Sequence, residues 1–174
     1  MRPPADPPAP PPRAVSAASF SAECEQAFKD MSTQESPNDF FVCGFKEGTS
    51  QMGLAAAGRG GMKAMADVLD AQFKSGIAVA CFRVTAVDDR GVTVSYRTKL
   101  IHVIYTGPTV PRMQKAKVAS FNASFKAPFN AQYFLQIDDV ADLNEKDMES
   151  MLRKAGGAHA PTGYDFANTP PVAS

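Results

Sequence analysis

Apolar and polar positions alternate between two periods along the chain, and the changes of period mark the elements. From Ser21 to Met31, Cys24, Ala27, Phe28 and Met31 recur at helical spacing, and Ser21 is placed to cap that helix. Ser36-Pro37-Asn38 ends the region. The runs Asp39 to Phe45 and Gln51 to Ala57 have strand length and flank the polar turn Lys46-Glu47-Gly48-Thr49-Ser50, which predicts a hairpin. From Gly61 to Phe73 the helical period returns, with Met62, Met65, Val68, Leu69 and Phe73 on one face.

Ile77 to Val87 and Val92 to Tyr105 are rich in β-branched and aromatic residues and read as two long core strands. Asp88-Asp89-Arg90-Gly91 between them suits a tight turn with positive φ. A helix is predicted from about Thr109, as its cap, to Ala127, with Pro111 in the first turn and Pro128 as the stop. Ala131 to Ile137 is a further strand. The closing helix has the clearest ends: Asn144 can cap the amide of Asp147, Leu143 can staple to Met148, and Gly156-Gly157 offers a left-handed stop. Met148, Met151 and Leu152 form its core face. The order α-β-β-α-β-β-α-β-α predicts an α+β fold, a mixed sheet covered by helices.

Half of the 14 prolines fall in the first twelve residues, so residues 1–15 read as a disordered or polyproline II tail. Residues 16–158 form one domain, and 159–174, with Pro161, Gly163, Pro170 and Pro171, read as a flexible tail. The string Pro7-Pro8-Ala9-Pro10-Pro11-Pro12 suits an aromatic-lined groove such as that of an SH3 domain or profilin, and a solubilising extension explains it equally well. No apolar run approaches the roughly 18 residues of a membrane span, and no apolar stretch of a signal peptide is present, which points to a cytoplasmic protein. Cys24, Cys43 and Cys81 are odd in number and in apolar company, as reduced core residues would be.

Charge changes the picture. The chain is neutral, with 18 Lys+Arg against 18 Asp+Glu, yet from Gly91 to Ile137 there is no acid while Arg97, Lys99, Arg112, Lys115, Lys117 and Lys126 are all basic. From Asp138 to Glu149 six acids face one lysine. On the helix after Thr109, Arg112, Lys115 and Lys126 share a face opposite Val118, Phe121 and Phe125, with Lys117 nearer the apolar side. Together with Arg97 and Lys99 these predict one positive surface for an acidic partner: nucleic acid, an anionic membrane or an acidic protein.

Catalytic material is thin. His102 lies inside an apolar strand and His159 in a tail, no nucleophile or metal motif is present, and no cofactor or metal is implied. The acids after Asp138 have the spacing of a helix cap and first turn. Gly58-Arg59-Gly60-Gly61 before a helix resembles a phosphate loop, but Lys63 stands where a third glycine belongs.

At Phe82-Arg83-Val84, at Lys99-Leu100-Ile101 leading through Tyr105 and Gly107-x-x-Val110 into Arg112-Met113-Gln114-Lys115-Ala116-Lys117, and most specifically at Leu152-Arg153-Lys154-Ala155-Gly156-Gly157-Ala158, the chain resembles the coactosin-like branch of the ADF/cofilin homology (ADF-H) family. It departs from the family pattern in Tyr105, where Trp is frequent, and in the length of its proline-rich extension. The resemblance implies the ADF-H fold, a central mixed β-sheet of five to six strands sandwiched between helices, and no catalysis. It further implies binding to the side of F-actin with little severing, in the cytoplasm and cytoskeleton. It places actin-contacting lysines at Lys99 and Lys154 and long-helix basics at Lys115 and Lys117; Arg97, Arg112, Met113 and Arg153 adjoin them. The alternatives are cofilin-like depolymerisation or severing with G-actin binding, and nucleic-acid or anionic-lipid binding by the same surface, which lacks the aromatic platforms that nucleic acid uses.

Overall fold

A computed structural model describes residues 17–156 and 160–168. The elements are β1 (Ser19–Phe20), α1 (Ala22–Ser32), β2 (Phe40–Phe45), β3 (Gln51–Gly58), α2 (Gly61–Gln72), β4 (Ile77–Asp88), β5 (Ser95–Thr106), α3 (Arg112–Lys126), β6 (Tyr133–Ile137), a 3-10 turn (Val140–Asp142), α4 (Glu145–Gly156) and β7 (Gly163–Asp165). The seven strands form one sheet in the order β1-β3-β2-β4-β5-β6, with β7 beside β4. β4 and β5 pair antiparallel over their full length, from Ile77 opposite Thr106 to Asp88 opposite Ser95. The outer pairs β1 with β3 and β5 with β6 are parallel, which makes the sheet mixed.

The apolar runs are nearly continuous in the central strands because both faces of the sheet are covered. One face carries Phe41, Cys43, Val79, Cys81 and Ile104 against Cys24, Ala27 and Met31 of α1 and Val118, Phe121 and Phe125 of α3. The other carries Val42, Ala80, Phe82, Ile101, Val103 and Tyr105 against Met62, Met65 and Leu69 of α2 and Met148 and Leu152 of α4. Strand residues alternate between the two cores at period two, so the parity of a residue fixes its face.

Several expected details differ. Ser21 heads α1, but its hydroxyl turns to the Cys24 sulfur at 3.5 Å instead of capping an amide. Thr109 does not cap α3: its hydroxyl donates to the Lys74 carbonyl at 2.8 Å, and the helix begins at Arg112 after Pro111. The tight turn expected at Asp88–Gly91 is a wider loop, and Gly91 has no positive φ. The Asp88 carboxylate shapes this loop by accepting from the Arg90 guanidinium at 2.7 and 2.8 Å.

The largest difference is at the C-terminal end. The sequence reads 159–174 as flexible, but β7 pairs with Thr85–Val87 of β4, along the stretch that β2 leaves uncovered. Phe166 is buried in the α2 and α4 core. The Asn168 amide donates to the Arg83 carbonyl at 2.8 Å, and its oxygen accepts from the Thr85 hydroxyl at 3.0 Å. Gly61 shows how closely this segment approaches: a Cβ there would lie 2.0 Å from the Phe166 carbonyl oxygen, and its φ of +57° already favours glycine. The expected glycine stop of the last helix includes Gly157, which lies outside the described residues, as do the proline-rich residues and His159.

Candidate functional site

Lys99 stands opposite Val84 and Arg97 opposite Ala86, so both leave β5 on the face that α4 covers. Lys99 is half-buried and Arg97 exposed. They line a small cavity of about 130 Å³ with Tyr133, Leu152, Gly156 and Tyr164. That volume is well below the roughly 300 Å³ at which small-molecule sites begin, so the feature is a junction between elements and not a ligand pocket. Leu152 and Gly156 flank Lys154, whose side chain is exposed on the last turn of α4. The end of the β4–β5 hairpin and the last turn of α4 meet at this cavity, but Lys154 does not line it: it lies with Asp147, Ser150, Met151 and Ala155 around a separate, open concavity on α4. The negative end of the helix dipole favours positive charge in that last turn.

Arg153 has a different occupation. Its guanidinium donates to Glu149 Oε1 at 2.8 Å and to the Pro161 and Thr162 carbonyls at 3.0 Å each, and it lies 5.5 Å from the Tyr164 ring. It fastens the segment containing β7 onto α4. These carbonyls lie eight and nine residues on, past the end of the helix, so a helix pattern shows only a basic residue in the last turn.

Sequence reading also missed the apolar tip of the hairpin. Val92, Val94 and Tyr96 are among the exposed large hydrophobics, with Val92 fully exposed. Their alternation predicted the start of a core strand, but the hairpin projects past the helices that would bury it. Exposed apolar side chains beside Arg97 and Lys99 are what a protein contact uses in addition to charge.

The basic residues of α3 do not join this patch. β5, 12 residues long, runs about 40 Å at ~3.3 Å per residue before the chain reaches α3, and α3 then packs on the opposite face of the sheet. The single positive surface expected from the acid-free stretch is therefore two regions. At the start of α3, Arg112 and Lys117 are exposed and Met113 is 84% exposed. Lys117, placed by the helical wheel nearer the apolar side, borders a groove of about 410 Å³ with Phe45, Ile77, Gln114 and Phe121. Lys115 is half-buried and shares a concavity with Asp138 and Asp142, so acids absent from its own stretch reach it from beyond β6. Lys126 lies over the Phe134 ring at 5.1 Å.

The remaining candidate chemistry is structural. The phosphate-like loop before α2 already holds an anion: the fully buried Asp39 carboxylate accepts from the Gly61 amide at 2.7 Å and the Gly60 amide at 3.2 Å. Arg83 is also buried, and its guanidinium donates to the carbonyls of Met31 and Ser36 at 3.2 and 3.1 Å and to that of Thr33, closing the C-terminal end of α1. Burial lowers the Arg83 pKa against the attraction of Asp39. The acids after Asp138 serve as caps: Asp139 accepts from the Ala141 amide, and Asn144 from the Asp147 amide, both at 2.9 Å.

His102 is fully buried beside Phe129 and Phe134, and burial pulls its pKa from 6.5 to about 4 despite an opposing effect of the Phe125 backbone. The folded protein keeps it neutral where the unfolded chain would take up a proton. Its contribution to stability is therefore complete above pH ~6.5 and lost as the pH falls towards 4, by about 3 kcal/mol in all. Urea unfolding of His102→Phe and the parent at pH 7.5 and 4.5 checks this: the parent should lose more stability than the variant on acidification.

The family profile described as cofilin/tropomyosin-type actin-binding protein matches residues 17–153. Comparison with curated protein sequences finds no significant match. Among solved structures, human coactosin-like protein superposes with a TM-score of 0.64 at 22% identity, covering 86% of this chain and 97% of that one. Coactosin from Entamoeba histolytica gives 0.63 at 18% identity, covering 77% and 93%. Mouse coactosin, described as an actin filament binding protein, gives 0.59 at 20% identity, covering 81% and 94%. At these identities the structural likeness is one of fold: a mixed sheet between two pairs of helices.

Proposed function

The chain belongs to the cofilin/tropomyosin-type family of actin-binding proteins, and we propose that within it this protein binds the side of F-actin and modulates filament dynamics with little severing. The observation that supports the reading is that Lys99 and Arg97 lie together against the last turn of α4, the turn that carries the exposed Lys154, and follow the exposed Val92 and Val94 along the hairpin. Actin is acidic. Lysines held on a strand and a helix end steer association, and the apolar hairpin tip supplies area that charge alone does not. The start of α3, with Arg112, Met113 and Lys117, is the second contact region, while Lys115, beside Asp138 and Asp142, contributes less. Arg153 acts indirectly, by holding α4 in place.

Two separated contact regions fit a filament, which presents its subunits in a repeating array, better than an isolated monomer. They also supply the alternative, since a molecule that touches two subunits can strain the joint between them, as a cofilin-like severing protein with G-actin binding would. Nucleic-acid or anionic-lipid binding is less favoured: the exposed ring of Phe134 is covered by Lys126, leaving no free stacking platform there. No helix among the described residues is long and apolar enough to cross a membrane. Catalysis has no part in this reading, and the cytoplasmic cytoskeleton is the location it implies. The proline-rich start of the chain is a candidate ligand for profilin or an SH3-type domain, and a solubilising extension accounts for its composition equally well.

Imaging of single fluorescent filaments tests the reading. Labelled protein should decorate filament sides while the number of filament ends stays constant. A rise in breakage with protein concentration would overturn it in favour of severing.

A further inference from the structure

Three cysteines are buried and free, and two of them are adjacent: the Cys43 sulfur lies 2.6 Å from that of Cys24, although 19 positions separate them along the chain. Cys24 sits in the first turn of α1 and Cys43 in β2, on the sheet face that α1 covers. Cys81 belongs to the same core but has no such sulfur partner among the described residues. We propose that Cys24 and Cys43 are a modification site, a dithiol that a hydroperoxide converts to a reversible intramolecular disulfide joining α1 to β2.

The surroundings of Cys24 suit it to be the attacking sulfur. It receives the Cys43 S–H and, at 3.5 Å, the Ser21 hydroxyl, and it lies at the helix end where backbone amides favour negative charge. The Cys43 hydrogen bond is the main reason its pKa falls from 9.0 to about 7, against the opposing effect of burial. Cys43 and Cys81 are both pushed upward, Cys43 chiefly by donating to Cys24 and Cys81 by burial.

The chemistry closes without a further reactant. The Cys24 thiolate attacks one oxygen of hydrogen peroxide, the O–O bond breaks, and Cys24 becomes a sulfenic acid while hydroxide leaves. The Cys43 sulfur then attacks the Cys24 sulfur, the S–O bond breaks, and the departing hydroxyl takes the Cys43 proton as water. Two thiols lose two electrons, and the peroxide is reduced to two waters. Both sulfurs are fully buried, so the oxidant enters when the first turn of α1 opens. That turn follows a strand of only two residues, β1, so a local opening there disrupts little sheet pairing.

The test treats the full-length protein with hydrogen peroxide under native conditions, then blocks free thiols in denaturant and maps peptides without reduction. The expected product has lost two hydrogens, carries one blocked thiol at Cys81 and yields a linked peptide pair containing Cys24 and Cys43. Closing this loop should raise Tm by roughly 5–10 °C, and a dithiol reductant should reverse the change. Cys81→Ser should still form the link, and Cys43→Ser should not. Three blocked thiols after peroxide, a link through Cys81 or between molecules, or a linked product with lower Tm would each overturn the proposal. The mapping uses the unaltered chain, so it stands even if a cysteine variant fails to fold.

Discussion

Replacing Asp39 by Ala is expected to destabilise the protein by about 3–4 kcal/mol, the largest loss anticipated from a single polar side chain here. Asp39 is fully buried at the junction of β2 and α2, where its carboxylate takes the amides of Gly60 and Gly61. Its own backbone joins the two neighbouring strands, with its amide donating to the Gly58 carbonyl and its carbonyl accepting from the Arg83 amide, both at 2.8 Å. An alanine keeps the backbone bonds but leaves two helix-end donors facing a cavity. Each unmade buried bond costs about 1–3 kcal/mol, and the favourable charge at the helix N-terminus is lost as well. Asp39→Asn keeps one acceptor oxygen and should lose about half as much. Urea unfolding at neutral pH measures both. A loss below ~1 kcal/mol for the alanine variant would show that water satisfies those amides and that the carboxylate is not their essential partner.

The same residue shows where sequence reasoning reaches and where it stops. Elements set by local period were readable: the hairpin of β2 and β3, the long strands β4 and β5, and the closing helix with Asn144 bonded to the Asp147 amide. The division of α3 into a buried face of Val118, Phe121 and Phe125 and a polar face was equally plain. What escaped depends on residues distant in the chain. Asp39 reads as the first residue of a strand because its partners lie more than twenty positions on. Arg83 reads as a charge in a core strand because the carbonyls it binds belong to the end of α1 and the loop after it. Gly163, Tyr164 and Asp165 are too short a run to register as a strand, and they pair only because β4 outruns β2.

The candidate site follows the same division. The family resemblance singled out Lys99 and Lys154, but what surrounds each was not legible, since it depends on where α4 packs against the β4–β5 hairpin. The acid-free stretch suggested one positive surface, yet a strand the length of the domain separates its two halves. The cysteines were assigned as inert core residues on their spacing, while the fold sets two of them side by side.

Removing the two lysines together should have the largest effect on function. Lys154 is exposed, and Lys99 lines only the rim between β5 and α4, so Lys99→Ala with Lys154→Ala should leave the fold intact. Each charge at such a contact contributes about 1 kcal/mol, and the pair together about 2 kcal/mol, which corresponds to roughly 30-fold in affinity. Steering by these charges also makes the parent's binding weaken as salt rises, more steeply than that of the variant. Lys126→Ala, on the other face over Phe134, serves as the control and should bind like the parent. Cosedimentation with F-actin at moderate salt is the direct measurement. The double variant should remain in the supernatant at concentrations where the parent pellets with filaments, and pelleting equal to the parent's would contradict the assignment of this surface to actin.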